Sequence, residues 1–273
     1  MVRREPLRQV IVFVMDRDIK GLLIDLDGVL YVGDGAIDGA RDALEALRRK
    51  NIDCRFVTNT TTKTAAEVVE KLNDLGFDVE AGQVFSAVSA TKQLLGGGKA
   101  ELPNLHLIVR DSILGEFEEF PTDAEGPDYV VVGDIGAQWS YPLMDRAFRE
   151  LMNGAELVAM HKNRYFQTGD GLRLDIGCFV AGLEFATGHT AIIVGKPSPD
   201  FFQLGLESLG LPAENVAMVG DDIDSDVGGS QAIGIAGILV RTGKYREAYA
   251  KESEVRPDAV IDSIADLPRL IGL

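Results

Sequence analysis

With 273 residues, 46% of them hydrophobic and 26% charged, and a formal net charge of −16, the chain has enough apolar material for one large or two small cores. It shows none of the compositional bias of disordered or fibrous proteins. The acidic excess excludes sequence-independent nucleic-acid binding, which depends on Lys and Arg neutralising phosphates. Any anionic ligand would need a local positive site set against the global field, and a metal ion is one source of it.

Only Cys54 and Cys178 are present, each beside apolar residues. No disulfide framework is expected, both are read as small core residues, and a reducing, cytoplasmic setting fits. The apolar run Val10 to Met15 near the start is too short for a signal peptide and lacks a small-residue cleavage site. No other stretch approaches membrane-spanning length, so no membrane partner is expected. Met15 is expected as the natural start, because the regular pattern begins a few residues later.

Along the chain, short apolar runs alternate with helical periodicity. Gly21 to Leu26, Ala40 to Arg49, Cys54 to Val57 and Ala65 to Leu75 form one βαβα series. Ala191 to Val194, a helix near Asp200 to Leu209, Val216 to Val219, a helix from about Ser225, Ile235 to Val240 and Ala259 to Ile261 form another. This rhythm predicts an α/β fold, a Rossmann-like doubly wound parallel sheet with helices on both faces and ligands at the carboxyl ends of the strands.

Between the two series lie other strands, at Leu105 to Val109, Tyr129 to Val132 and Leu157 to Met160, and a hairpin from Arg164 to Asp175 around Gly169-Asp-Gly171. The expected organisation is a core domain over 1–82 and 189–273, with a smaller α/β domain over 83–188 inserted as a cap. Trp139 and Tyr141 are expected to anchor the core of that insertion.

Four segments carry chemistry. Asp25-Leu26-Asp27-Gly28 closes the first strand, where residues two apart point the same way and both carboxylates can share a pocket. Val57-Thr58-Asn59-Thr60 closes the second, with groups suited either to an oxyanion or simply to capping a helix. Lys196 in Gly195-Lys-Pro-Ser-Pro199 supplies a positive charge of the kind a phosphoryl group needs, or is solvated surface.

The sharpest segment is Gly220-Asp-Asp-Ile-Asp-Ser-Asp226, whose four carboxylates would repel one another without a cation. A helix N-terminus could account for one or two of these aspartates but not for all. Carboxylates without a nearby His or Cys favour magnesium over zinc.

These motifs, in this order at strand ends, resemble the haloacid dehalogenase superfamily from about Lys20 onward, in its branch with a large α/β cap. Phe56-Val-Thr-Asn59, His161-Lys-Asn-Arg-Tyr-Phe166, Gly195-Lys-Pro-Ser-Pro199 and Gly220-Asp-Asp-Ile223 are similar to the phospholysine phosphohistidine inorganic pyrophosphate phosphatases and their relatives. The resemblance implies a magnesium-dependent phosphatase acting on a small phosphorylated substrate through an aspartyl phosphate. Asp25 would be the nucleophile and Asp27 the acid and base. Thr58, the Asn59 backbone and Lys196 would bind phosphate. Asp25, the Asp27 carbonyl and Asp221 would be metal ligands, and Asp226 would orient bound water or Lys196.

In the insertion, His161, Arg164 and Asp175 are candidates for substrate contacts, whereas His106 and His189 are read as structural. Asp222 and Asp224 receive no role. A phosphotransferase or phosphomutase of the same fold and a non-catalytic binding protein remain open alternatives. Exposed strand edges on the insertion are compatible with a homodimer.

Overall fold

The computed structural model describes residues 17–98, 100–122, 126–168 and 170–273. The expected start at Met15, the run before it and Gly169 of the expected turn lie outside the described residues. Among those residues, no helix is long and apolar enough to cross a membrane.

The chain divides into two compact units. One comprises the residues up to Thr58, with Val69–Val84 and Pro197–Leu273; the other comprises Asn59–Val68 and Phe85–Lys196. In this division the chain returns to the first unit between Lys196 and Pro197, and a short segment following Thr58 groups with the second unit.

With strands numbered along the chain, the first unit holds β1 (Gly21–Asp25), the small pair β2 (Tyr31–Val32) and β3 (Gly35–Ala36), and β4 (Asp53–Thr58). After the insertion come β12 (Val216–Gly220), β13 (Ala236–Val240) and β14 (Ala259–Ile261). With β5 (Val84–Ser86) they form a six-stranded sheet in the order β14-β13-β12-β1-β4-β5. From β4 across to β14 every pairing is parallel.

All residues of β1, β12 and β13 are buried, which is why these strands read as continuous apolar runs rather than alternating ones. The helices that cover the sheet show the complementary period. In Ala40–Arg49 the buried positions are Ala40, Ala43 and Leu47. In Pro199–Leu209 they are Phe201, Phe202, Gly205, Leu206 and Leu209, with Pro at the start and Gly210 ending the helix at φ 65°.

The second unit carries a four-stranded parallel sheet, β11 (Ile192–Ile193), β8 (Glu156–Ala159), β7 (Tyr129–Val132) and β6 (Leu105–Ile108), in that order. It also has the hairpin β9 (Tyr165–Thr168) and β10 (Gly171–Leu174), with Gly171 opposite Thr168. The expected core strand at Ala191 to Val194 is thus corrected. Ile192 pairs with Val158 at the edge of this second sheet, because a short apolar run specifies a strand without specifying its neighbour.

Trp139 stacks on Phe179 at 4.1 Å and 9° and packs against the buried cluster around Val132, Leu151 and Val180. Tyr141 is 81% exposed. It begins the helix Tyr141–Met152 on the solvent side, so it does not anchor the core. Cys178 is also exposed. Cys54 is half-buried, and burial, followed by the charge of Asp53, pushes its thiol up to about 12. Neither cysteine is a small core residue of the kind expected.

Candidate active site

Three adjacent parallel strands of the first unit end in a polar residue or are followed at once by one. β1 lies between β12 and β4, with Ile24 opposite Val219 and Asp25 opposite Val57. Asp25 therefore emerges at the same sheet edge as Thr58, which closes β4, and Asp221, which follows β12. The chain runs from β1 to β4 on one side and from the adjacent β12 to β13 on the other, and such a switch point opens a crevice at the carboxyl ends of the strands.

Carboxylate oxygens of Asp25, Asp221 and Asp226 lie within 4.8 Å of one another. All three residues are buried, at 6%, 2% and 1% exposure. Burial first, and then the charges of Asp25 and Asp226, hold the Asp221 carboxyl well above the usual carboxylate range, against the opposing charge of Lys244. Asp221 Oδ1 is buried and accepts no hydrogen bond. A hard divalent cation matches this donor set, because it would satisfy that oxygen and relieve the repulsion among three like charges.

The four aspartates after β12 divide their work. Asp221 and Asp226 join Asp25. Asp222 caps the helical turn Ile223–Gly228, its Oδ1 accepting from the N–H groups of Asp224 at 3.1 Å and Ser225 at 3.0 Å. Asp224 faces outward and accepts from the Tyr249 hydroxyl and from Ser253 Oγ at 3.3 Å. Capping thus explains one of the four, and a tether to the helix Glu247–Glu252 explains another. Asp226 belongs to the carboxylate group itself, whereas the Asp27 side chain does not. Asp226 Oδ2 also accepts from the Asp222 N–H at 3.1 Å.

Asp27 is open to solvent on one side. Crowding by the surrounding chain nevertheless raises its carboxyl above the ordinary value; Lys71, Lys244 and the Gly28 N–H act in the opposite sense. Lys71 donates to the Gly33 carbonyl at 2.9 Å and sits 4.0 Å from the centre of the Tyr31 ring. The Tyr31 hydroxyl is raised by burial and then by Asp27 and Asp25.

The loop after β13, Arg241 to Tyr245, was not singled out by its sequence. Here the Lys244 N–H donates to Asp221 Oδ2 at 2.6 Å, and Thr242 Oγ1 donates to the Gly28 carbonyl. Gly28 (φ 90°) and Gly243 (φ 62°) face each other across Asp221, and a Cβ on either would lie 2.0 Å from Asp221 Oδ2. The available signal was a Thr-Gly-Lys run one residue beyond a buried strand.

The second unit places the remaining expected residues among themselves. Asn59 binds the Lys196 backbone twice, Nδ2 donating to its carbonyl and Oδ1 accepting from its N–H, each at 2.8 Å. The Lys196 side chain is buried. The Asn59 side chain thus ties together the two places where the chain passes between units.

Asn59→Ala leaves both backbone groups of Lys196 without these partners and is expected to destabilise the protein by about 2 kcal/mol. Urea unfolding measures the loss, and faster hydrogen exchange at the Lys196 amide localises it.

His161 is 3% exposed. Its Nδ1 accepts from the Asn163 N–H at 3.2 Å, which leaves the proton on Nε2, 3.7 Å from Asp175 Oδ1. Asp175 Oδ1 also accepts from the Ile176 N–H at 2.7 Å. Arg164 is exposed, and its carbonyl accepts from the Asp175 N–H at 3.2 Å. Lys162 pairs with Glu184. His106 pairs with Glu150 inside the unit and His189 is exposed.

Comparison with known proteins adds to this geometry. The profile of haloacid dehalogenase-like hydrolases matches residues 22–120, and a HAD-hydrolase-like profile matches residues 193–267. The phospholysine phosphohistidine inorganic pyrophosphate phosphatase of Rattus norvegicus is 39% identical over 259 residues, covering 93% of this chain and 94% of that protein. Haloacid dehalogenase-like hydrolase domain-containing protein 2 of Homo sapiens is 40% identical over 241 residues, 88% and 90% of the two chains.

Among solved structures, the 4-nitrophenylphosphatase of Thermotoga maritima aligns with a TM-score of 0.87 and 30% identity over 94% of this chain and 99% of that one. The p-nitrophenyl phosphatase of Archaeoglobus fulgidus aligns with a TM-score of 0.85 and 28% identity, over 92% and 99%.

Proposed function

The chain belongs to the haloacid dehalogenase-like hydrolase family, and from that premise we propose that it is a magnesium-dependent phosphatase using Asp25 as nucleophile on a small phosphorylated substrate. The substrate classes that fit are a phosphomonoester, a phosphoramidate or a pyrophosphate. The observation that carries this reading is the buried group of Asp25, Asp221 and Asp226 at one sheet edge, in a chain whose relatives are named as phosphatases of such compounds.

A carboxylate of Asp25 attacks phosphorus in line, the bond from phosphorus to the leaving oxygen or nitrogen breaks, and Asp27 gives that atom a proton. The raised Asp27 carboxyl suits this donor role. Asp27 then takes a proton from a water whose oxygen attacks the aspartyl phosphate, releasing inorganic phosphate and restoring Asp25. Thr58, the Asn59 backbone N–H and Lys196 hold and neutralise the transferring oxygens.

Asp25, Asp221 and Asp226, together with the Asp27 carbonyl, are the groups that would hold magnesium, which when bound screens phosphate charge from the carboxylates. His161, Arg164 and Asp175 are proposed as contacts that select the leaving group, since closing a cap over such a site excludes water.

The test is release of inorganic phosphate from p-nitrophenyl phosphate, pyrophosphate and imidodiphosphate by the purified chain. Hydrolysis is expected with magnesium, is lost on chelation and returns when the metal is restored. Failure to hydrolyse any of them with magnesium present would leave the non-catalytic reading standing. Product carrying the phosphoryl group on an added acceptor, in place of free phosphate, would favour the phosphotransferase.

A further inference from the structure

Lys244 stands beside the carboxylate group without belonging to the chemistry described above. Its side chain is 18% exposed. Its ammonium lies 3.2 Å from Asp222 Oδ2 and 4.0 Å from Asp221 Oδ1, the oxygen that accepts no hydrogen bond. Its backbone N–H separately holds Asp221 Oδ2 at 2.6 Å. The close facing of Gly28 and Gly243 fixes the loop that carries it. One residue thus binds Asp221 twice, through a neutral group that side-chain replacement leaves in place and through a charge that replacement removes.

We propose that Lys244 is a positioning residue, a built-in counter-cation that keeps the carboxylate group assembled without metal and weakens its hold on the metal. The inference rests on the metal site of the proposed function. A buried set of carboxylates without any cation is strongly self-repelling, and an ammonium at its rim offsets part of that repulsion. The same positive charge repels a divalent ion entering among Asp25, Asp221 and Asp226. Lys244 therefore acts in opposite directions on the metal-free fold and on metal affinity. A residue with a merely structural role would lower both or leave affinity unchanged.

The experiment compares the full-length chain with Lys244→Met, Lys244→Gln and Lys244→Arg, using titration calorimetry with magnesium alone at about pH 8, where ordinary carboxylates are ionised. Thermal melting is recorded with and without the metal. The Met and Gln variants are expected to melt several degrees lower without metal, to bind magnesium about tenfold more tightly and to show a larger magnesium-induced rise in Tm. Lys244→Arg should follow the wild type in both.

Wild type binding magnesium with the neutral variants binding equally or more weakly would overturn the inference alone. Failure of both neutral variants to fold even in millimolar magnesium would overturn it as well, since the metal would then not stand in for the ammonium. A wild-type chain that binds no magnesium would sink the metal reading and the inference together.

Discussion

Asp25→Asn is expected to lower hydrolysis of p-nitrophenyl phosphate by about a thousandfold or more, the scale of removing a covalent nucleophile, while the protein stays folded. The amide nearly matches the carboxylate in volume, so the buried end of β1 keeps its packing. It also removes one of the charges that raise the Asp221 carboxyl. The metal-free variant should therefore melt at or above the wild-type temperature. That combination, activity lost and stability kept or gained, separates a functional carboxylate from one that serves the fold. The checks are steady-state kinetics and thermal melting on the same preparation; a variant retaining more than a tenth of wild-type turnover would remove Asp25 from its role.

Gly28→Ala is the second large effect. Its backbone lies at φ 90°, and the added Cβ would fall 2.0 Å from Asp221 Oδ2 and 3.0 Å from the Gly243 backbone. Left-handed backbone strain costs roughly 1–2 kcal/mol for an alanine, and displacing a buried carboxylate or its loop adds to it. The expected loss of stability is about 3–4 kcal/mol, with near-complete loss of activity because Asp221 is displaced. Gly33→Ala is the matched control. It has φ 58° with no atom within 4 Å of the new Cβ, so only the backbone part, about 1 kcal/mol, should appear. Equal losses for the two variants in urea unfolding would show that the close approach at Asp221 has no energetic weight.

Much of the fold was legible because its strands are buried on both faces. β1, β12 and β13 appear as uninterrupted apolar runs, and the helices Ala40–Arg49 and Pro199–Leu209 carry buried residues at helical spacing. The positions of Asp25, Thr58 and Asp221 followed from the same pattern, since each closes or follows such a run. The hairpin of β9 and β10 was legible from its turn residues and alternation.

Other features depended on partners distant in the chain. The run at Ile192–Ile193 joins the sheet containing β8, and its sequence states only that it is apolar. Tyr141 and Cys178 have apolar neighbours yet face solvent, because a helix end offers both environments within one turn. Lys244 looks like any surface lysine until the loop after β13 is laid across Gly28.

By itself the sequence determined that this is an α/β chain with carboxylates gathered where strands end, because burial period and turn chemistry are local properties written in consecutive residues. The tertiary structure alone decided how the four aspartates after β12 divide between grouping with Asp25, capping and tethering. It also decided that Lys244 is their neighbour and that Asn59 holds the Lys196 backbone. Charges interact through distance in space, and residues separated by more than a hundred positions come within 3 Å only when parallel strands and a long insertion bring them there.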